Sequence, residues 1–309
     1  MRVIAIQTGR SDFLDLDSSA ACGFLKYLEG ERELSKVLSH PAYQAIFSHA
    51  QNFGVKMTEE DVEKALDGDK SPFYGMSNLK KNLPRIEKCL EQIEKGYQAW
   101  VNEIRSLHQF FFPGLDLSRI KVFPVIGYDI GIGHKNSVCL NINVETYLND
   151  YREFFCMIAH EGFHALYEQI HNLPSISDIM DPEKRLDVFY SMTQNEGYAV
   201  FSAWLIREGK GFQDGEHPVL KDYFFLREKQ YKLWSRFKEV EEKIRKEPDM
   251  ELKEYMDLVF GAERLTYRIG SLLIDLIKEN LGKDKVKKGI YMPGKEFFNH
   301  YRYLFETRF

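Results

Sequence analysis

The sequence predicts a predominantly helical α+β fold with one small sheet. Three observations carry this. Apolar residues recur at helical spacing over two long stretches, near residues 84–110 and 182–207. The only strong β patterns fall within residues 120–144. Gly and Pro sit where helices start and stop.

At 309 residues the chain can bury a large core and form one large or two modest domains. Its net charge of −5 gives no electrostatic case for binding nucleic acid. Lys/Arg-rich stretches are interleaved with Glu, as on solvated helix faces. No run approaches the ~18 apolar residues of a membrane span. The start lacks the apolar region of a signal peptide. Cys22, Cys89, Cys139 and Cys156 have no C-x-x-C spacing, and Cys139 and Cys156 lie on apolar segments, so buried thiols in a reducing compartment are expected. Together these predict a cytoplasmic protein without membrane or nucleic-acid partners.

In chain order, residues 3–7 read as a short strand or extended lead-in. Helices are expected at 18–28, closed by Gly30, at 31–38, and from Pro41, which suits the first helical position. Thr58-Glu59-Glu60-Asp61 resembles a capped start running to Leu66. Residues 67–72 read as a loop. A long helix from about 84 to 110 carries Ile86, Leu90, Ile93, Tyr97, Val101 and Ile104. Residues 1–112 thus form a helical lobe without evident chemistry, either scaffold or one wall of a cleft; residues 113–309 form the second lobe.

Pro113-Gly114 breaks the long helix. Residues 120–126 are rich in β-branched side chains. Val138, Leu140, Ile142 and Val144 alternate with Cys139, Asn141 and Asn143, the pattern of a half-buried strand. Between them, Gly127, Gly131 and Gly133 mark either a plain hairpin loop or a place of close backbone approach. That stretch lacks the G-K-[ST] of a phosphate loop.

Next comes Ile158-Ala159-His160-Glu161-Gly162-Phe163-His164, which contains H-E-x-x-H. On a helix, histidines at i and i+4 share one face. Two such imidazoles can reach one zinc ion at about 2.0–2.1 Å. Glu161 then stands beside the metal, where a carboxylate can take a proton from metal-activated water. The run 154–159 is apolar, and Leu166 and Ile170 continue the packing face. A core helix has little reason to carry two histidines and a carboxylate unless they are paired.

A third ligand is needed. His171 is too far along: the metzincin pattern wants Gly three residues and His six residues after the second His, where this chain has Tyr167 and Ile170. His171 is better read as a histidine facing the last carbonyls of a helix. Glu196, in Asn195-Glu196-Gly197-Tyr198-Ala199, sits mid-helix in the 182–207 segment, with Asp181-Pro182-Glu183 as its start. It is either an exposed or Arg-paired acid, or the third ligand of a His₂Glu site with one open position.

H-E-x-x-H followed by N-E-G-x-A resembles the gluzincin clan of zinc peptidases, and most closely the predicted bacterial and archaeal zinc-dependent proteases whose ligand helix carries E-G-x-A. The likeness covers roughly residues 120–300. Thermolysin-like gluzincins also place Asn before the ligand Glu, as Asn195 does here, but they carry Asp where this chain has Val200. The partner that orients a zinc histidine must therefore come from elsewhere. The resemblance implies a zincin-like catalytic lobe with a small sheet beside the H-E-x-x-H helix. It also implies zinc as cofactor, a peptide or protein substrate laid along a sheet edge, and an oxyanion-stabilising Tyr or His from a later helix. Tyr267 fits that role best, since Tyr-x-x-Gly in a late helix resembles those proteases and Gly270 permits close helix approach; Tyr291 and His300 are the reserves, and a packed core tyrosine is the plain alternative.

Beyond residue 207, 208–218 reads as a loop and 219–246 as a long charged helix ending near Pro248. Its Phe224, Tyr231, Trp234 and Phe237 suggest a core stripe. A further helical stretch breaks near Gly261 and ends at Gly282, and Pro293-Gly294-Lys295 opens a last helix with Phe297, Phe298, Tyr301 and Leu304. No internal repeat or low-complexity tract is present. The reading is a zinc metallopeptidase with Glu161 as general base. The alternatives are a catalytically silent zinc-binding interaction module and a zinc hydrolase acting on a non-peptide amide or ester.

Overall fold

The structure, a computed structural model, describes residues 14–52, 54–68, 76–211, 226–247, 249–261 and 263–308. The lead-in expected at 3–7, the end of the loop at 67–72 and the helical start at 219–224 with Phe224 lie outside them. The described part is mostly helical with a four-stranded mixed sheet, the fold class the sequence predicts. The chain divides into two compact units, residues 1–166 and 167–309. Residue 112, where the sequence reading ends its helical lobe, lies within the first.

In the first unit the sheet runs β1 (Asp15–Leu16), β2 (Lys121–Val125), β4 (Ser137–Asn141), β3 (Gly131–His134). β1, β2 and β4 are parallel, with Val122 opposite Val138 and Val125 opposite Asn141. β3 pairs antiparallel with β4 and forms one edge. The alternation in 138–144 predicts a half-buried strand, but residues 138–144 are all buried. The cause is parallel pairing with helices on both faces, which buries alternate residues alike. Gly131–His134 is a strand rather than a loop. Tyr128 and Lys135, with φ of 73° and 54°, turn the chain at its two ends.

Helices α1 (Ser19–Leu28) and α3 (Pro41–Asn52) cover one face of the sheet. Tyr43 on α3 donates its hydroxyl to Ile126 O (3.0 Å), and His134 Nε2 lies 3.2 Å from Ser48 Oγ. α2 (Leu34–Leu38) is shorter than expected. α4 (Glu59–Leu66) starts with the capping box read at Thr58 and Asp61. α5 (Leu79–Phe111) begins five residues before Pro84, which sits inside it. Pro84 is thus past the first turn that proline favours and forgoes the bond to Lys80 O, so the proline does not mark the first residue of this helix. The short α6 (Glu145–Asn149) leads into α7 (Arg152–Tyr167), which lies on the other face of the sheet. α5 backs α7, with Trp100 stacked on Phe155 at 5.0 Å and Phe111 edge-on to Phe163 at 5.8 Å. The layers are therefore α1 and α3, sheet, α7, α5.

In the second unit α8 (Ile176–Met180) precedes α9 (Arg185–Gly209), which begins three residues later than expected. Asp181 still acts there, accepting from Glu183 N in the preceding turn (3.1 Å). α9 is buried nearly all round, as a central helix must be. It is enclosed by α10 (Arg227–Lys246), α12 (Leu265–Leu281) and α14 (Gly294–Tyr301). α11 (Leu252–Phe260) ends at Gly261, α12 ends at Gly282, and α13 (Lys283–Ile290) and α15 (Tyr303–Arg308) complete the unit. An aromatic ladder through Phe189, Phe237, Trp234 and Phe305 knits α9, α10 and α15. Trp234 and Phe237 are core residues as read, but Tyr231 is 52 % exposed and leaves the stripe. None of the four cysteines forms a disulfide, and Cys89, Cys139 and Cys156 are buried.

Glu241 on α10 is buried and accepts from both terminal nitrogens of Arg302 (3.2 and 3.1 Å), from Arg245 (3.1 Å) and from the Tyr190 hydroxyl. Burial works to raise its pKa, but the Arg302 and Tyr190 hydrogen bonds outweigh this and hold it below the ordinary carboxylate value. Glu241→Ala removes the acceptor for all three donors. Breaking a fully buried pair costs ~3–5 kcal/mol. The Arg302 side chain is 27 % exposed, so the expected loss is about 1–3 kcal/mol, read as a lower urea midpoint.

Asp275 on α12 gives a pH signature. Burial, then the charges of Glu279 and Glu208, raise its carboxyl to about 6 against the opposing Lys278 and Arg308. The folded-state value thus lies above the unfolded one. Stability from this group is complete below about pH 4 and is lost as pH rises through about 6. Asp275→Asn should melt above wild type at pH 7.5, and the gap should close by pH 4.

Candidate metal centre

His160, Glu161 and His164 project from α7, and all three are buried. One potential ligand atom from each lies within 4.8 Å of the others, and this is the metal-capable group of three found among the described residues. The Nε2 atoms of His160 and His164 are 3.2 Å apart. Two nitrogens bound to one tetrahedral zinc at 2.0–2.1 Å would stand about 3.3 Å apart. The observed spacing and the all-imidazole pair therefore fit zinc. The i, i+4 spacing sets this distance because one helical turn brings the two side chains together.

β3 holds the helix on its sheet side. A Cβ on Gly133 would lie 1.8 Å from Glu161 O and 3.0 Å from His164 Cβ, and one on Gly131 would lie 3.1 Å from Glu161 Oε1. Of the two readings of these glycines, hairpin loop or close backbone approach, the structure shows the second for Gly133, and the backbone admitted is that of α7. The neighbouring Cys139 on β4 stays a neutral thiol, because burial and then the Glu161 charge push its pKa far up. The loop before β3 is held by Asn141, whose Oδ1 accepts from Gly127 N (3.0 Å) and Asn143 N (3.1 Å).

On the α5 side stands His108, a residue the sequence reading passes over. It is fully buried, and its Nε2 is 3.0 Å from Ala159 O. Burial lowers its pKa to about 4, with the carbonyl bond working against that, so it is neutral near pH 7. The available signal was spacing: His108 continues the apolar series of α5 four residues after Ile104.

The other predicted residues lie in the second unit. Glu196 is buried in the middle of α9. Gly197 beside it meets Gly270 of α12: a Cβ on Gly197 would lie 2.4 Å from Gly270 Cα, and one on Gly270 would lie 2.0 Å from Thr193 O. Gly270 thus serves the close helix approach read for it. Tyr267, three residues earlier on α12, is half-buried with the Arg264 guanidinium 4.2 Å over its ring. Tyr291 and His300 are exposed. Val200 is a buried apolar residue. Gln194 donates to Gly289 O (2.7 Å) and Met292 O (3.0 Å) and accepts from the Tyr167 hydroxyl (2.8 Å). His171 stacks on Tyr167 and bonds Ile290 O at 2.6 Å. It does face a last carbonyl, but that of α13, not of its own helix.

A buried imidazole pair on one helical turn, with a carboxylate beside it, is a group that could hold a metal ion. The chain belongs to the family described as "Putative zinc dependent peptidase (DUF5700)", whose model matches residues 34–307. That family is described as zinc dependent, and the His-Glu-His group is present here. No curated protein and no solved structure matches the chain. Among the described residues no helix is long and apolar enough to cross a membrane.

Proposed function

We propose that the chain is a peptidase of gluzincin type, with zinc held by His160, His164 and Glu196 and with Glu161 as general base. The observation that carries the reading is the His160–His164 pair at 3.2 Å with the Glu161 carboxylate beside it, all buried. Glu196 completes the donor set in the proposal because it is a buried carboxylate within N-E-G-x-A. Coordination to a metal ion is one arrangement that offsets the cost of burying a carboxylate, which favours a ligand role.

Zinc in such a site supplies Lewis acidity, polarising the scissile carbonyl and making water acidic enough to lose a proton near neutral pH. Glu161 accepts that proton as water attacks and delivers it to the leaving amine. Tyr267 donates its hydroxyl to the developing oxyanion. Among the described residues β3 lies at an edge of the sheet, where an extended peptide can add as a strand. Its glycines face α7, so it offers backbone hydrogen bonds while its position fixes Glu161.

A mixed peptide library read by mass spectrometry tests the activity. Cleavage that disappears with a chelator and returns with zinc is the expected result. Cleavage of small esters or acyl amides alone would keep the metal chemistry and remove the peptidase. No turnover by zinc-loaded protein on either substrate class would leave a silent zinc-binding module. In the same assay Tyr267→Phe should lower kcat more than it raises KM, because an oxyanion contact forms mainly in the transition state.

A further inference from the structure

We propose that His108 is a positioning residue for the metal centre: its imidazole, seated in a notch opened by Gly162, fixes the rotation of α7 and thereby the direction in which the His160 and His164 pair is presented to the metal and its further ligand. This rests on the zinc-site reading above.

His108 lies near the end of α5 at a position that packing alone would fill with Leu or Phe. Burying an imidazole there costs free energy unless it is hydrogen-bonded. The bond it makes goes to Ala159 O, the carbonyl directly before His160. In the helix that oxygen already faces the N–H of Phe163, and a carbonyl has a second lone pair to offer. Nε2 must carry the proton in the tautomer that makes this bond.

Gly162 lies within the H-E-x-x-H motif, where Gly costs about 1 kcal/mol relative to Ala. A Cβ there would lie 2.7 Å from His108 Cε1, so the ring fits only against glycine. Ala159 and Gly162 are three residues apart and share a helix face. That face is roughly opposite the one carrying His160 and His164. His108 therefore cannot touch the metal and acts through the helix. β3 closes on the backbone at Glu161 O and His164 Cβ, while His108 holds Ala159 O from the far side.

Magnitudes show why this matters. Ligand atoms stand about 5–6 Å from a helix axis, so a 10° rotation moves both histidines together by about 1 Å relative to a ligand held outside α7. Zinc–ligand distances tolerate only about ±0.2 Å. Apolar helix packing alone allows scatter of about 15–20°. A directional bond to one carbonyl restricts rotation that apolar contacts permit.

The test measures zinc dissociation constants by competition with a chromophoric chelator, alongside melting of the zinc-free protein. His108→Phe should weaken zinc binding about 10–100-fold, the range for residues that orient metal ligands. His108→Gln should stay within about threefold of wild type, because its amide nitrogen reaches the place of Nε2 and donates to the same carbonyl. Equal zinc affinity in wild type and His108→Phe, whatever the melting temperatures, overturns the proposal. So does a His108→Gln variant as weak as His108→Phe. If His108→Phe does not fold, Gly162→Ala decides. Its effect on zinc affinity should be large in the wild-type background and small in His108→Ala, where the clashing ring is gone; equal effects in both backgrounds overturn the proposal. Wild-type protein that binds no zinc would overturn both this inference and the site reading, whereas zinc-binding wild type with unaffected variants would remove this inference alone.

Discussion

Glu161→Gln is expected to lower peptide hydrolysis at least a hundredfold while leaving the zinc content and the fold unchanged. General acid–base participation contributes ~10²–10⁴-fold, and the lower end of that range is the minimum expected here. Gln is close to Glu in size, so the packing of Glu161 against β3 survives the change. What is lost is the ability to accept a proton from water and pass it to the amine. The effect should therefore fall on kcat and on kcat/KM alike, as for an interaction made only in the transition state. The measurement is steady-state kinetics on a cleaved library peptide, with metal analysis of the same sample. A loss of activity that tracked a loss of zinc would assign Glu161 to the metal rather than to the proton.

The largest expected effect on stability is that of Gly197→Val. A Cβ at this position would lie 2.4 Å from Gly270 Cα and equally close to Gly270 C. Both opposing groups are backbone, so no side-chain rotation can make room, and α9 and α12 must separate. Overpacking typically costs 1–3 kcal/mol, and a backbone-to-backbone clash places this variant at about 3 kcal/mol or more. For a domain of this size that is a fall in Tm of about 6–12 °C. Gly162→Ala faces only an imidazole, so its effect on Tm should be smaller. A melting temperature for Gly197→Val within about 2 °C of wild type would contradict the crossing of α9 and α12 at these glycines.

What the sequence disclosed follows from the range of the interactions involved. α7 was legible because its signal is local: two histidines and a glutamate at fixed spacing after an apolar run, in a fold class whose β patterns are confined to one stretch. The break at Gly261 and the stop at Gly282, with φ of 87°, were legible for the same reason. β3 was ambiguous because glycines in a strand look like a loop. Their purpose, the approach of α7, belongs to residues some thirty positions away. The full burial of β4 depends on parallel pairing with β2, which alternation within one strand does not encode. Pro84 and Pro182 suggest helix starts, but α5 begins earlier and α9 later, since proline constrains its own φ and little beyond its neighbours. His108 was hidden by fitting the apolar period of α5, and only its partner on α7 gives it meaning. Choosing one tyrosine from 17 by a Tyr-x-x-Gly pattern singled out a half-buried residue, Tyr267, over the exposed Tyr291.

The most direct test of the central claim is the zinc content of three proteins purified in parallel and dialysed against the same weak chelator: wild type, Glu161→Gln and Glu196→Gln. One zinc per chain is predicted for wild type and Glu161→Gln, with substantial loss in Glu196→Gln, because a His₂Glu site loses a ligand in the last and only its base in the second. Zinc retained in Glu196→Gln but lost in Glu161→Gln would contradict the assignment and exchange the roles of the two carboxylates.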